Sequence, residues 1–214
     1  MIELKEVSKV FLAEAGRYSV SFHISEGETL ILPGTSGWGK STTMKMLNRL
    51  IEPASGEIFI KGVNVLDIDP IKLRVGIGYG IQNIGLFPYM TIKENIEIIP
   101  KLVGWTPDDR LERVEELMNI VGLPPENFID RYPSALSGGQ KQRVGVTRAI
   151  VADPPIILMD EPFGPLAPIT RRQAQRKFAS FACPRGRLSP LLPRKGGYPE
   201  RNRSLILYSI FPLS

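Results

Sequence analysis

Cysteine and histidine occur once each in the 214 residues, and no apolar run is long. A lone thiol, Cys183, excludes an intramolecular disulfide and a thiolate metal cluster, which fits a reducing compartment. The longest apolar stretches, such as Leu205 to Phe211, fall far short of the ~20 residues that cross a bilayer as a helix. The opening Met1-Ile2-Glu3-Leu4-Lys5-Glu6 carries acid where a secretory signal has a basic start and an apolar run. Any membrane role is therefore expected to be peripheral. A hydrophobic content of 43% with 23% charged residues excludes disorder or a collagen-like chain over most of the length, and one globular domain is the simpler reading.

The net charge of +5 raises the question of nucleic acid, but its distribution answers it. Residues 174 to 214 hold eight basic side chains against the lone Glu200, so the excess belongs to the tail and the body is mildly acidic. No nucleic-acid partner is expected.

Strand-like alternation covers Ile2 to Val7 and Arg17 to Ile24, and a short apolar run from Glu28 to Leu32 ends in Pro33-Gly34. A helical period begins at Lys40. Glu57 to Ile60 and Gly76 to Ile81 suggest a further strand pair around a short helix at Pro70 to Arg74. Helices are expected over Thr91 to Ile99, over Pro107 to Val121, where Asp108 and Asp109 suit the positive end of the dipole, and from Ser137 to about Val151. Pro155 to Met159 reads as a short buried strand delivering Asp160 and Glu161. Beyond Gln173 the prolines 184, 190, 193 and 199 interrupt a basic segment without sustained period.

Three motifs carry chemistry. Gly34-Thr35-Ser36-Gly37-Trp38-Gly39-Lys40-Ser41 fits the phosphate loop G-x-x-x-x-G-K-[ST] and lies between a strand and a helix, as the mechanism requires. Its glycines let backbone N–H groups face phosphate oxygens, Lys40 would reach the β- and γ-phosphates, and the Ser41 hydroxyl would ligate Mg²⁺. The alternative is a glycine turn capped by serine. Asp160-Glu161 after an apolar strand would hold the metal and polarise water, although an acidic pair in that position taken alone is usually a solvated turn. Leu136-Ser137-Gly138-Gly139-Gln140 puts a hydroxyl and bare N–H groups at a helix N-terminus, an arrangement that suits anions and equally suits a plain helix cap.

The pentapeptide Leu136 to Gln140, extended by Lys141-Gln142-Arg143-Val144 and by Arg148-Ala149, resembles the signature of ATP-binding-cassette ATPases. Segments such as TTMKMLNRLIEPASGEI, IGLFPYMTIKEN and RYPSALSGGQKQRVGVTRAI are similar to the ATPase subunits of glycine betaine, choline, carnitine and proline-betaine importers. The resemblance spans residues 1 to about 173. It implies an α/β P-loop fold: a RecA-like core, an antiparallel β subdomain and an α-helical signature subdomain at about 88 to 150, C-terminally incomplete, with 174 to 214 no domain of its own. It also implies ATP and Mg²⁺ as ligands, with Phe11 stacking on adenine unless it is a core aromatic, and Thr42 joining the phosphate loop. Gln82 would touch the metal and sense the permease, Asp160 would hold the metal, and Glu161 would serve as general base. The signature would meet ATP held by the other copy in a homodimer. Permease subunits and an extracytoplasmic substrate-binding protein are the implied partners, and the cytoplasmic face of the plasma membrane the implied location.

The chain departs from the family pattern after Asp160. Ala167 follows Leu166 where the family carries an aspartate, and no histidine follows the acidic pair at the spacing of the family's γ-phosphate switch. His23, far upstream, reads as an ordinary strand residue. Trp38 brings bulk to a loop position usually held by something small, and Pro33 removes an N–H at a strand end, where that is tolerable. The expectation is that the reading frame diverges just after Gln173, leaving Leu205 to Phe211 an exposed β-prone run. A nucleotide-binding form deficient in hydrolysis is the alternative function, and a DNA- or ribosome-associated ATPase of the same family a third.

Overall fold

The computed structural model describes residues 2–10, 18–33, 37, 39–82 and 84–160, together with the strand backbone of 205–210. Two sheets organise them. The first is antiparallel, with β1 (Ile2–Lys9), β2 (Tyr18–Ile24), β4 (Ser55–Ile60) and β5 (Val63–Asn64) in the order β2-β1-β4-β5. The second joins β3 (Thr29–Pro33), β6 (Ile77–Gly80), β7 (Ile156–Asp160) and β8 (Leu205–Ile210) in the order β3-β8-β7-β6, with every pair parallel. Between them run the helices α1 (Lys40–Leu47), α2 (Pro70–Val75), α3 (Ile92–Leu102), α4 (Pro107–Ile120), α5 (Pro125–Phe128) and α6 (Gly138–Ile150).

Strand β1 shows how the sequence handles a break in its own alternation. Ile2 and Leu4 are buried, Glu6 would be next, yet Val7 takes the inward place. The register with both neighbours shifts between residues 4 and 8, and Glu6 sits at φ 47. This bulge resets the phase by one residue. The facing Gly56 (φ 83) is required by it, because a Cβ there would collide with the carbonyl oxygens of Lys5 and Glu6. β4 returns to β5 through Lys61 and Gly62 at φ 50 and 80, the primed-turn geometry of tight hairpins. The expected pairing of Glu57–Ile60 with Gly76–Ile81 does not occur: β4 pairs with β1 and β5, while β6 pairs with β7 in the other sheet. A Lys-Gly turn lacks the Asn or Asp that usually announces a hairpin, which is why β5 was not foreseen.

β7 is apolar at every position before Asp160 because both of its faces are covered. Ile156 and Leu158 join a core with α1 and β1 residues, including Met44, Leu47, Ile2 and Leu4. Ile157 and Met159 join the helical core of Ile96, Leu117, Met118 and Val144. The helices start where side chains meet orphan amides: Thr91 and Glu94 form a reciprocal capping box at α3, Thr106 caps α4 ahead of Pro107, and Ser137 with Gln140 repeats the box at α6. Arg113, 4% exposed inside the helical layer, donates to the Val151 carbonyl at 3.3 Å and to Glu116 at 2.6 Å, so its charge is paired.

The run Leu205 to Ile210, expected to be exposed, is paired along both backbone edges, Leu205 to Ser209 aligning with Ile156 to Asp160 and Ile206 to Ile210 with Thr29 to Pro33. The expectation failed because no helical or strand period leads up to this run, and only the vacancy between β3 and β7 gives it a partner.

Gly78 lets β6 lie against α6. A Cβ there would strike the Ala149 carbonyl oxygen and come within 2.7 Å of Pro154 Cγ, whereas one at Gly138 would meet nothing within 4 Å. Gly78→Ala is expected to lower unfolding stability by about 2 kcal/mol or more in urea titration, with Gly138→Ala within about 0.5 kcal/mol of the parent. Equal effects at the two positions would contradict this packing.

Candidate nucleotide site

Four parallel strands end at one edge of their sheet, and the phosphate-loop helix begins there. β3 ends at Pro33, β7 at Asp160 and β6 at Gly80, and α1 rises from Lys40 and packs against β7. Open parallel sheets bind ligands at this carboxyl edge, because loops and helix N-termini converge there. Gly37 and Gly39 take φ 91 and 75, the left-handed region that glycine alone enters freely. Added Cβ atoms would meet nothing within 4 Å at either position, so conformation rather than crowding demands glycine there. Gly39 is the residue before the helix and has no side chain to cap it, and no acid lies in the first turn. Neither the residue before the helix nor an acid in its first turn covers this helix end, whose partial positive charge suits an anion. Thr43 turns inward instead, its N–H and hydroxyl both donating to the Gly39 carbonyl at 2.8 and 3.0 Å. Lys40 is only 8% exposed and Ser41 half-buried, and both stand in the first turn of α1 directly after Gly39.

Asp160 closes β7 at 3% exposure, and its Oδ1 has no hydrogen-bond partner among the described residues. A buried carboxylate oxygen left unpaired is costly unless a cation completes it. Tyr79, on the neighbouring strand, records the same environment: burial first, and the charge of Asp160 second, push its phenol up to about 12. This tyrosine went unnoticed in the sequence, where it appeared only as the large residue of Ile77-Gly78-Tyr79-Gly80 with nothing to link it to Asp160.

The segment after β6 is clamped by two side chains. Arg148 of α6 donates to the carbonyls of Ile84 and Gly85 at 2.9 and 2.7 Å, and burial lowers its pKa. Asn95, fully buried on α3, accepts from the Phe87 N–H at 2.8 Å and donates to the carbonyls of Phe87, Met90 and Thr91 at 3.1, 3.1 and 2.9 Å. Its position between Ile92 and Ile96, on the apolar face of a helix, was the available signal for such a role. Gln82 lies at the start of this segment and is exposed. A cleft of about 290 Å³ opens along the edge of β6 that pairs with no strand among the described residues, lined among others by Asn48, Arg74, Tyr79, Phe87, Ile98 and Arg148. The Asn48 side-chain oxygen is buried there without a partner, and Phe87 and Tyr89 are 50% and 92% exposed close by in the chain.

Ser137 accepts from the Gln140 N–H at 3.3 Å while Gln140 accepts from the Ser137 N–H at 2.8 Å. The hydroxyl thus caps α6 and keeps its own hydrogen to donate outward. Ala149, where α6 meets β6, is about 18 Å along the helix from Ser137, so the signature turn stands away from that strand. Leu136 is buried under it, and Gly138 and Gly139 follow with exposed and half-exposed backbone.

Of the residues singled out in the sequence, Gly37, Gly39, Lys40, Ser41, Thr42, Gln82 and Asp160 gather at the carboxyl edge, and Leu136 to Gln140 form a second, separate turn. Phe11, Gly34, Thr35, Ser36, Trp38 and Glu161 lie outside the described residues. His23 is an exposed β2 residue opposite Glu3, in the antiparallel sheet.

Comparison with known proteins agrees with this geometry. A family model described as ABC transporter matches residues 18–164. The chain is 54% identical over 179 residues to the glycine betaine/carnitine/choline transport ATP-binding protein OpuCA of Bacillus subtilis, covering 83% of this chain and 47% of that protein. It is 50% identical over 183 residues to the osmoprotectant import ATP-binding protein OsmV of Salmonella typhimurium, covering 83% and 48%. The chain thus spans about half the length of the curated relatives it matches. Among solved structures, the dimeric post-hydrolysis state of the ATP-binding cassette MJ0796 bound to ADP and Pi superposes with a TM-score of 0.79 at 28% identity, over 98% of this chain and 87% of that one. Matched by the family model over more than half its length and by these relatives at about half identity, the chain belongs to the ABC transporter family.

Proposed function

We propose that this chain is the ATP-binding subunit of an ABC importer, coupling ATP binding and hydrolysis to uptake of a quaternary amine such as glycine betaine. The observation that carries the nucleotide part is the unpaired, buried Asp160 oxygen at the edge where the Lys40 helix begins. The donor set fits Mg²⁺: a carboxylate and the Ser41 hydroxyl are hard oxygen ligands, and this ion commonly takes only one or two carboxylates and completes its shell with phosphates and water. Among the described residues no group of three or more acidic, histidine or cysteine side chains gathers to hold a metal without such help. When bound, the ion would neutralise phosphate charge. The amides of Gly39 and Lys40, with the Lys40 ammonium, bind and orient the β- and γ-phosphates, Thr42 supports that turn, and Gln82 lies within the same edge to sense its occupancy. Glu161, next after Asp160, is assigned to draw a proton from attacking water, and Phe11 to stack on the base together with the loop residues Gly34 to Ser36 and Trp38.

The signature turn at Ser137 stands about 18 Å along α6 from the contact with β6, which suits a contact with ATP held by a second copy, and hence a homodimer. The cleft beside β6, with exposed Phe87 and Tyr89, is the surface we assign to permease subunits, with a substrate-binding protein engaged only through them. No helix of the described residues is long and apolar enough to cross a membrane; peripheral attachment at the cytoplasmic face is assigned from the likeness to ATP-binding proteins of importers. The choice of solute rests on the names of the relatives, and the division into a cassette of residues 1–173 and a tail rests on the change of character after Gln173, where prolines and basic side chains replace a sustained period.

A second reading, ATP binding with little turnover, draws on His23. This single imidazole is in β2 of the antiparallel sheet, and Ala167 replaces an acid expected near the dimer interface.

Lys40→Ala is expected to weaken Mg-ATP binding at least tenfold by titration with a fluorescent nucleotide, and unchanged affinity would sink the assignment. Phosphate release measured on the same preparation separates the two readings, since binding without release favours the second. Tyr79 offers a check free of nucleotide. A phenol raised to about 12 holds its proton in the folded state after it has lost it in the unfolded one. Its contribution to stability is therefore complete below about pH 10 and declines as pH rises towards 12. Tyr79→Phe should flatten alkaline unfolding over that range, and Asp160→Asn should move the phenolate absorbance transition to lower pH. A Tyr79 transition unmoved by Asp160→Asn would show that the two groups do not interact.

A further inference from the structure

Strand β8 lies in sequence beyond the family model, which ends at residue 164, and beyond the resemblance of the first 173 residues, yet it pairs with both β3 and β7 inside the sheet. We infer that residues 205–210 form the positioning strand of the nucleotide edge: inserted between β3 and β7, they set the separation of the Lys40 helix from Asp160.

Adjacent strands lie about 4.8 Å apart, so an intervening strand fixes β3 and β7 at roughly 9.6 Å. Its register leaves no slack. Leu205 through Ser209 align one to one with Ile156 through Asp160, and Ile206 through Ile210 with Thr29 through Pro33. Ser209 is thereby level with Asp160, and Ile210 with Pro33, the last strand residue before the phosphate loop. Were the slot empty, β3 would be tied to β7 chiefly through α1, and the facing edges of both strands would present unpaired amides and carbonyls. The two halves of the proposed site would then be free to drift by ångströms, enough to lose charge-assisted contacts with a shared ligand.

Composition selects this segment over every other part of the tail. Leu205-Ile206-Leu207-Tyr208-Ser209-Ile210 contains no proline, glycine or charge, which suits a strand enclosed in a parallel sheet. Residues 184 to 203 carry Pro184, Pro190, Pro193 and Pro199 among six basic side chains, and a proline cannot donate within a central ladder. Parallel pairing needs a connection of a dozen residues or more, and residues 161–204 are ample for it.

The inference rests on the nucleotide reading for its ligand, but its test does not depend on turnover. Hydrogen exchange on the full chain should show the amides of residues 206 to 210 protected, with exchange slowing at least tenfold further when Mg-ATP is added, since a ligand that needs the strand in place must stabilise it. Exchange at the free-peptide rate, or protection indifferent to bound nucleotide, would overturn the inference. A chain stopped after Ser204 should bind Mg-ATP at least tenfold more weakly, and a synthetic peptide of residues 203–212 should restore binding where a scrambled one does not. Binding by the shortened chain within twofold of the parent would equally overturn it. Protected amides in a full chain that binds no nucleotide would instead count against the proposed function and leave the strand assignment standing.

Discussion

A carboxylate buried to 3% exposure with one oxygen unpaired needs positive charge from somewhere, and the parallel sheet decides where that charge can come from. Asp160 ends β7, and every strand of its sheet points the same way, so the helix following β3 starts on the same edge. Backbone register does the long-range work of bringing the start of α1 and the end of β7 to one edge. Had either the β3–β8 or the β8–β7 pairing alone been antiparallel, the lysine and the aspartate would lie at opposite ends of the sheet. The two glycines at left-handed φ, and the absence of acid in the first turn of α1, then leave that edge complementary to anion and cation together.

The remaining polar burial serves to hold moving parts against this edge. Asn95 satisfies four backbone groups of the segment from Phe87 to Thr91, and Arg148 takes two carbonyls just before it. The segment that begins at Gln82 is consequently tied to α3 and α6, the helices of the signature layer. A displacement of those helices must pull on it, and through it on the end of β6. This is a physical link between the turn at Ser137 and the carboxyl edge, carried by hydrogen bonds to backbone that has no ladder of its own.

Much of this was legible before any coordinates. The strand, glycine loop and helix around Lys40, the buried strand ending at Asp160 and the cap at Ser137 are all local patterns, in which periodicity and side-chain chemistry reinforce one another. What escaped notice was non-local. The partnership of Tyr79 with Asp160 depends on β6 and β7 being neighbours, which 75 intervening residues conceal. The bulge at Glu6 could not be foreseen without Gly56 across the ladder. The run at Leu205 looked like an exposed hazard because a strand in isolation is one. Its meaning came only from the gap between two other strands.

Binding and turnover make different demands on such an edge. Holding a triphosphate requires amides, an ammonium and a metal ligand, the groups that the proposed site draws from the carboxyl edge. Cleaving it requires a base poised on water and groups that follow charge as it moves to the leaving oxygen. The one imidazole of the chain is on the antiparallel sheet, and the residue level with Asp160 on β8 is a serine. A hydroxyl can hydrogen-bond to phosphate but cannot take up a proton near neutral pH as imidazole does. Groups that act only in the transition state contribute to rate and not to ground-state affinity, so affinity and rate on such an edge are set by different residues.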